Sequence, residues 1–128
     1  MSKNLYVTEH EINASRKMLY PYLNTASGLA QWFADDVNVD EDHIYSFFWD
    51  NESFKAKMVS HRLNTLVKYE FIEDGEDESW YIEFLIEENE LTQSLFLKVT
   101  EYTEFEDEEE WRDLWENLFH NLKETVGG

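Results

Sequence analysis

The stretch from Glu106 to Val126 constrains this chain more than any other. Trp111, Leu114, Trp115, Leu118, Phe119, Leu122 and Val126 recur at steps of three and four, and at about 100° per residue they fall on one face of a single amphipathic helix. That face needs a large apolar surface to lie on. The alternating segments between His43 and Tyr102 supply it, and they read as a multi-stranded antiparallel sheet. A long helix gripped by a curved sheet leaves a space between the two, and such a space suits a small apolar ligand.

A chain of 128 residues makes one domain, 1–128, large enough for a proper core. Hydrophobic content of 42%, with 16% aromatic, sets it apart from disordered acidic tails. The absence of cysteine excludes a disulfide framework, a thiolate metal site and a thiol nucleophile. Met1 to His10 lacks the basic start and apolar core of a secretion signal, and no segment is apolar enough for a membrane span, so a cytoplasmic location is expected. A net charge of −19, with ten scattered Lys and Arg, argues against nucleic acid and anionic membranes as partners. The acidity serves solubility, with a basic protein partner as the alternative.

In chain order, Lys3 to Ile12 reads as a first strand, with Leu5 and Val7 facing opposite to Tyr6, Thr8 and Ile12. Ser15 is placed to cap a short helix carrying Met18, Leu19, Tyr22 and Leu23, which Pro21 should kink or shorten. A second short helix, capped by Thr25 or Ser27, carries Leu29, Trp32 and Phe33. Strands follow at 37–39 and 43–49, the latter apolar on both faces through Ile44, Tyr45, Phe47, Phe48 and Trp49. After a turn at Asp50 and Asn51, alternation assigns Phe54, Ala56 and Met58 to the interior, then Val67, Tyr69 and Phe71. A polar hairpin loop opens at Asp74 and Gly75 and runs to Ser79. Trp80, Ile82, Phe84 and Ile86 follow inward, and Leu95, Leu97 and Val99 complete a meander. The charge run before the last helix suits the positive end of its dipole, and Asp107 with Glu110 fits a capping pattern.

The order of elements is that of the helix-grip fold: an α+β domain with a curved antiparallel sheet around a long C-terminal helix and two short helices after the first strand. Ala14-Ser15 with Leu19-Tyr20, then Gly28-Leu29-Ala30-Gln31-Trp32-Phe33, resembles the opening of START-like proteins of the family named for the activator of the ninety-kilodalton heat-shock chaperone's ATPase. Trp111, Trp115, Leu118 and Leu122-Lys123 resemble that family's closing helix. The resemblance covers nearly the whole chain. It implies an apolar cavity for lipids, sterol-like molecules, polyketides or aromatic metabolites, and some members of the superfamily are cyclases or hydroxylase components. The chain departs from the family at Pro21 and in its acidity.

Signatures of chemistry are sparse. Asp36, Asn38 and Asp40 open like a calcium loop, but Glu41 stands where glycine is required and Phe47 where glutamate is required. His10, His43, His61 and His120 form no metal-binding pair, and no phosphate-cradling glycine motif occurs. His61, Tyr69 and His10 are the acid–base candidates, whereas Glu70 and Glu83 face outward and His120 lies on the solvated helix face. Trp32, Phe33, Phe47, Met58, Tyr69, Phe71, Trp80, Ile82, Phe84, Leu97, Trp111 and Trp115 form the bulky inner set that either lines a ligand cavity or fills it. The expected function is non-catalytic binding of a small hydrophobic molecule, with Tyr69 as an orienting polar group and no cofactor. The alternatives are a co-chaperone-like interaction module, as a homodimer through the strand 44–49 or with a protein partner, and a cyclase or hydrolase.

Overall fold

The computed structural model describes residues 3–72 and 80–127; the expected hairpin loop at Asp74 and Gly75 lies outside them. Strand β1 (Asn4–Ile12) is followed by three helical turns, α1 (Arg16–Leu19), α2 (Pro21–Asn24) and α3 (Ala26–Leu29). Then come β2 (Asp36–Val39), β3 (Ile44–Trp49), β4 (Glu52–Arg62), β5 (Leu66–Phe71), β6 (Tyr81–Glu88), β7 (Leu95–Thr103) and helix α4 (Glu108–Val126). Among the described residues the strands form one antiparallel sheet in the order β1-β7-β6-β5-β4-β3-β2. The meander therefore runs from β2 to β7, and β1 closes against the last strand, in register from Asn4 opposite Thr103 to Ile12 opposite Leu95.

Period-two alternation decides which side chains face α4. Val67, Tyr69, Phe71, Ile82, Phe84, Ile86, Leu95, Leu97 and Val99 are all buried, as their spacing predicts. On β1 the inward set is Tyr6 and Ile12, while Leu5 and Val7 are exposed. Asp50 and Asn51 both adopt positive φ, 49° and 69°, the geometry of a tight hairpin whose twist suits the strands it joins.

Three local expectations are corrected. Pro21 does not sit inside a helix. It opens a new one at its first turn, where a missing N–H costs nothing, so two expected helices become three short segments. The strand expected over 53–60 is β4, extended to Arg62, with a bulge between Met58 and Ser60 that absorbs Val59 and shifts the later register. Leu114, assigned to the apolar helix face, is 45% exposed.

The caps are as the sequence predicts. Ser15 accepts from Met18 N, Thr25 from Gly28 N, and Asp107 from Glu109 N and Glu110 N. Gly127 ends α4 with φ 81°, in the left-handed region that glycine enters without cost. Gly28 is required for a different reason. A Cβ there would collide with the Pro21 carbonyl and come within 2.7 Å of Tyr22 Cα, so α2 and α3 pack backbone to backbone. Gly28→Ala is expected to destabilise the protein by roughly 1–3 kcal/mol, read as a lower thermal midpoint; an unchanged midpoint would show that the two turns separate freely.

Candidate functional site

The site is built around a residue that the apolar pattern does not highlight. On β7 the inward positions Leu95, Leu97 and Val99 are followed by Glu101, which sits between Tyr6 of β1 and Ile82 of β6 in the sheet register. Trp111 and Trp115, one turn apart on α4, both donate their indole N–H to Glu101 Oε1, at 2.8 and 3.3 Å. Two charge-assisted bonds on one carboxylate oxygen hold the helix against the sheet. Burial pushes the Glu101 carboxyl above its ordinary 4.5, and the indole bonds from Trp111 and then Trp115 partly oppose that rise.

The opposite wall is the segment between α3 and β2. Trp32 donates its indole N–H to the Tyr22 carbonyl at 2.8 Å, and Trp49 of β3 donates to the Phe33 carbonyl at 2.9 Å. Asp35 N bonds the Phe48 carbonyl, and Asp35 Oδ2 accepts from Asp50 N. The segment is thereby fixed to α2 on one side and to β3 on the other. Between it, the sheet and α4 opens a cleft of about 550 Å³, lined by Ala30, Gln31, Trp32, Phe33, Ala34, Asp35, Trp49, Trp80, Ile82, Glu101, Leu114, Trp115, Leu118 and Asn121. Leu114 is exposed because it lies on this cleft. The lining contains no Lys, Arg or His, and its two ionisable groups, Asp35 and Glu101, are both acidic.

Of the twelve residues in the inner set, Trp32, Phe33, Trp80, Ile82 and Trp115 line the cleft. Phe47, Tyr69, Phe71, Phe84, Leu97 and Trp111 are packed in the solid core, and Met58 is half-buried against it. The segment between α3 and β2 packs on the sheet through edge-on aromatic contacts, with Phe33 on Phe47, Phe84 and Trp49 at 5.3–5.7 Å. Trp80 stacks flat on Phe71 with ring centres 3.6 Å apart, which presents one indole face to the cleft.

The acid–base candidates are not brought together. His61 is exposed on β4 beyond the bulge. His10 stacks on Phe119 at 3.9 Å, and burial, then Lys123, hold its pKa below the ordinary value against the opposing pull of Glu116. The Tyr69 hydroxyl donates to the Leu23 carbonyl at 2.8 Å, and burial, reinforced by Tyr45 and Tyr20, raises its pKa far above the ordinary tyrosine value. None of the three lines the cleft, whose lining carries no hydroxyl, thiol or imidazole. Among the described residues no three His, Asp or Glu converge on a metal position, and no helix is long and apolar enough to cross a membrane. Asp40, part of the calcium-like spacing, instead accepts from Asp42 N and Ile44 N to shape the β2–β3 turn.

Glu101 was legible in principle. Continuing the alternation of Leu95, Leu97 and Val99 by one step reaches it, but a carboxylate at that step reads as the end of the apolar strand.

A family model described as a START-like superfamily domain matches residues 1–128. No curated protein matches the chain. The solution structure of a Bacteroides fragilis protein is similar at 28% identity and TM-score 0.64, covering 98% of this chain and 92% of that one. The Aha1 dimer from Colwellia psychrerythraea is similar at 18% identity and TM-score 0.76, with 96% of each chain covered. DynU16, described as a protein of the dynemicin biosynthetic locus, is similar at 11% identity and TM-score 0.73, covering 96% of this chain and 47% of that one.

Two outcomes are expected from the Glu101 clamp. Glu101→Leu leaves two buried indole N–H groups without an acceptor, a cost of roughly 1–3 kcal/mol each, visible in urea denaturation. Because the folded-state pKa is raised, the folded protein holds this proton more tightly than the unfolded chain. Its contribution to stability is full below the ordinary value and declines as pH rises through the folded one. Glu101→Gln should therefore gain on wild type as pH rises above the ordinary carboxylate value of 4.5; a pH-independent difference would contradict the raised pKa.

Proposed function

Because the chain belongs to the START-like superfamily, we propose that it binds a small hydrophobic molecule in the cleft between α4, the sheet and the segment 30–35, without turning it over. The observation that carries this reading is the cleft itself: about 550 Å³ of space walled by four tryptophans and a phenylalanine. A volume of that order suits a drug-sized ligand. Desolvation of apolar ligand area supplies the affinity, at roughly 25 cal/mol per Å². The non-catalytic part rests on the lining, in which no nucleophile, base and orienting group assemble. Occurrence of the same fold in a biosynthetic locus, where small molecules are handled, agrees with a ligand-binding role.

A second reading is self-association, supported by the dimeric state of the Colwellia protein of the same fold and by Ile44 and Phe48, half-buried on the outer face of β3. Both hydrogen-bonding edges of β3 are occupied by β2 and β4, so such a contact would be face to face rather than edge to edge. Sedimentation at rising concentration tests it, and a persistent monomer removes it.

For the ligand-binding reading, native mass spectrometry of freshly purified protein, paired with analysis of its solvent extract, is expected to show one recurrent small-molecule adduct. In parallel, the neutral dye N-phenyl-naphthylamine should bind with quenching of tryptophan emission. Leu118→Ala, which removes apolar wall, should weaken dye binding about five- to fiftyfold, at about 0.8 kcal/mol per lost methylene. No adduct and no dye binding together would end this reading.

A further inference from the structure

The chemistry of the cleft names a ligand class, an inference that rests on the ligand-binding reading above. Both indole bonds to Glu101 end on the same oxygen, Oε1. Among the described residues nothing donates to Oε2. Among the described residues no buried side-chain polar atom lacks a partner, so Oε2 is not sealed away but open to the cleft that Glu101 lines. A half-used carboxylate at the wall of an apolar cleft is an acceptor awaiting a donor.

The surroundings decide what kind of donor. No Lys, Arg or His of the lining neutralises Glu101, and the second ionisable group, Asp35, is also acidic. The walls are the faces and edges of Trp32, Phe33, Trp49, Trp80 and Trp115, and indole faces attract cations through their quadrupole. The indole N–H groups of Trp32, Trp49 and Trp115 are already spent on the protein's own acceptors, so these rings offer the ligand π surface rather than donors. An anionic ligand would meet two carboxylates and no counter-charge, with Trp32, Trp49 and Trp115 offering it no N–H. Burial already disfavours the charged form of Glu101, and a bound cation offsets that penalty.

We infer that this cleft selects a hydrophobic ammonium, a primary or secondary amine on an aryl or alkyl skeleton, with its N–H on Glu101 Oε2 and its apolar body between the tryptophans. Fatty acids and other carboxylates are selected against. The net charge of −19 attracts cations in a diffuse way, but that field is screened by salt, whereas a contact inside the cleft is not.

The test uses three probes sharing one skeleton, naphthylethylamine, naphthylethanol and naphthylacetate, titrated calorimetrically at high ionic strength into the full chain and into Glu101→Gln. The glutamine oxygen still accepts from Trp111 and Trp115, while its amide N–H₂ replaces the open oxygen, so the fold is retained and circular dichroism verifies it. The amine is expected to bind wild type at least tenfold more tightly than the alcohol, and the carboxylate more weakly still. In Glu101→Gln the amine's advantage should vanish while N-phenyl-naphthylamine binding persists. Equal affinities for amine and carboxylate, or an amine preference that survives in Glu101→Gln, overturn the cation inference and leave the ligand-binding reading standing. If neither the dye nor any probe binds, both fall.

Discussion

The structure depends on the contact of one carboxylate with two indoles. Glu101 belongs to the sheet, Trp111 and Trp115 belong to the helix, and the bonds of 2.8 and 3.3 Å that join them cross an interface otherwise made of apolar contacts. Apolar contacts are non-directional and tolerate sliding of a helix along a sheet. A shared acceptor does not, because displacing α4 by a fraction of a turn breaks both bonds and leaves a charge and two N–H groups buried without partners. Tyr6 reinforces the register from the neighbouring strand, with its hydroxyl donating to the Phe105 carbonyl at 2.8 Å and its ring 5.1 Å from that of Trp111. The connection from β7 into α4 is thus tied down on the side where the clamp sits.

The same clamp gives the cleft its chemistry. An aromatic interior as large as this one packs itself full, and over most of the sheet it does so, through rings that meet edge to face. The space that remains is where the segment between α3 and β2 stands off from the flank of α4. That segment cannot collapse inward, because Trp32 and Trp49 hold it through the Tyr22 and Phe33 carbonyls and Gly28 fixes the packing of the turns before it. The void is thereby bounded by held walls, and the carboxylate that anchors the helix is one of the polar groups that line it. The carboxylate that holds the helix through one oxygen turns its other oxygen to the cleft.

What could be read from the chain follows the range of the forces involved. Ser15, Thr25 and Asp107 were legible as caps, because a cap bond reaches only two or three residues along the backbone. The inward set of β5, β6 and β7 was legible because pleating repeats every two residues, and the stripe of α4 because a helix repeats every 3.6. Val59 was not, since a bulge is a mismatch between two strands and appears in neither alone. Leu114 was misassigned for a similar reason: the stripe on α4 is wider than the surface it meets, and only the position of the segment 30–35 leaves that flank uncovered.

The sequence by itself therefore determined the class of fold and most of the core, because periodicity and capping are local. It also set the acidity of the surface and the absence of thiol chemistry. Tertiary structure decided which of the twelve bulky residues fill the interior and which border open space, since that depends on how elements distant in the chain approach one another. It alone revealed Glu101 as the shared acceptor of Trp111 and Trp115, ten and fourteen residues away. A carboxylate's worth inside a protein is set by the donors that surround it, and those donors are brought to it only by folding.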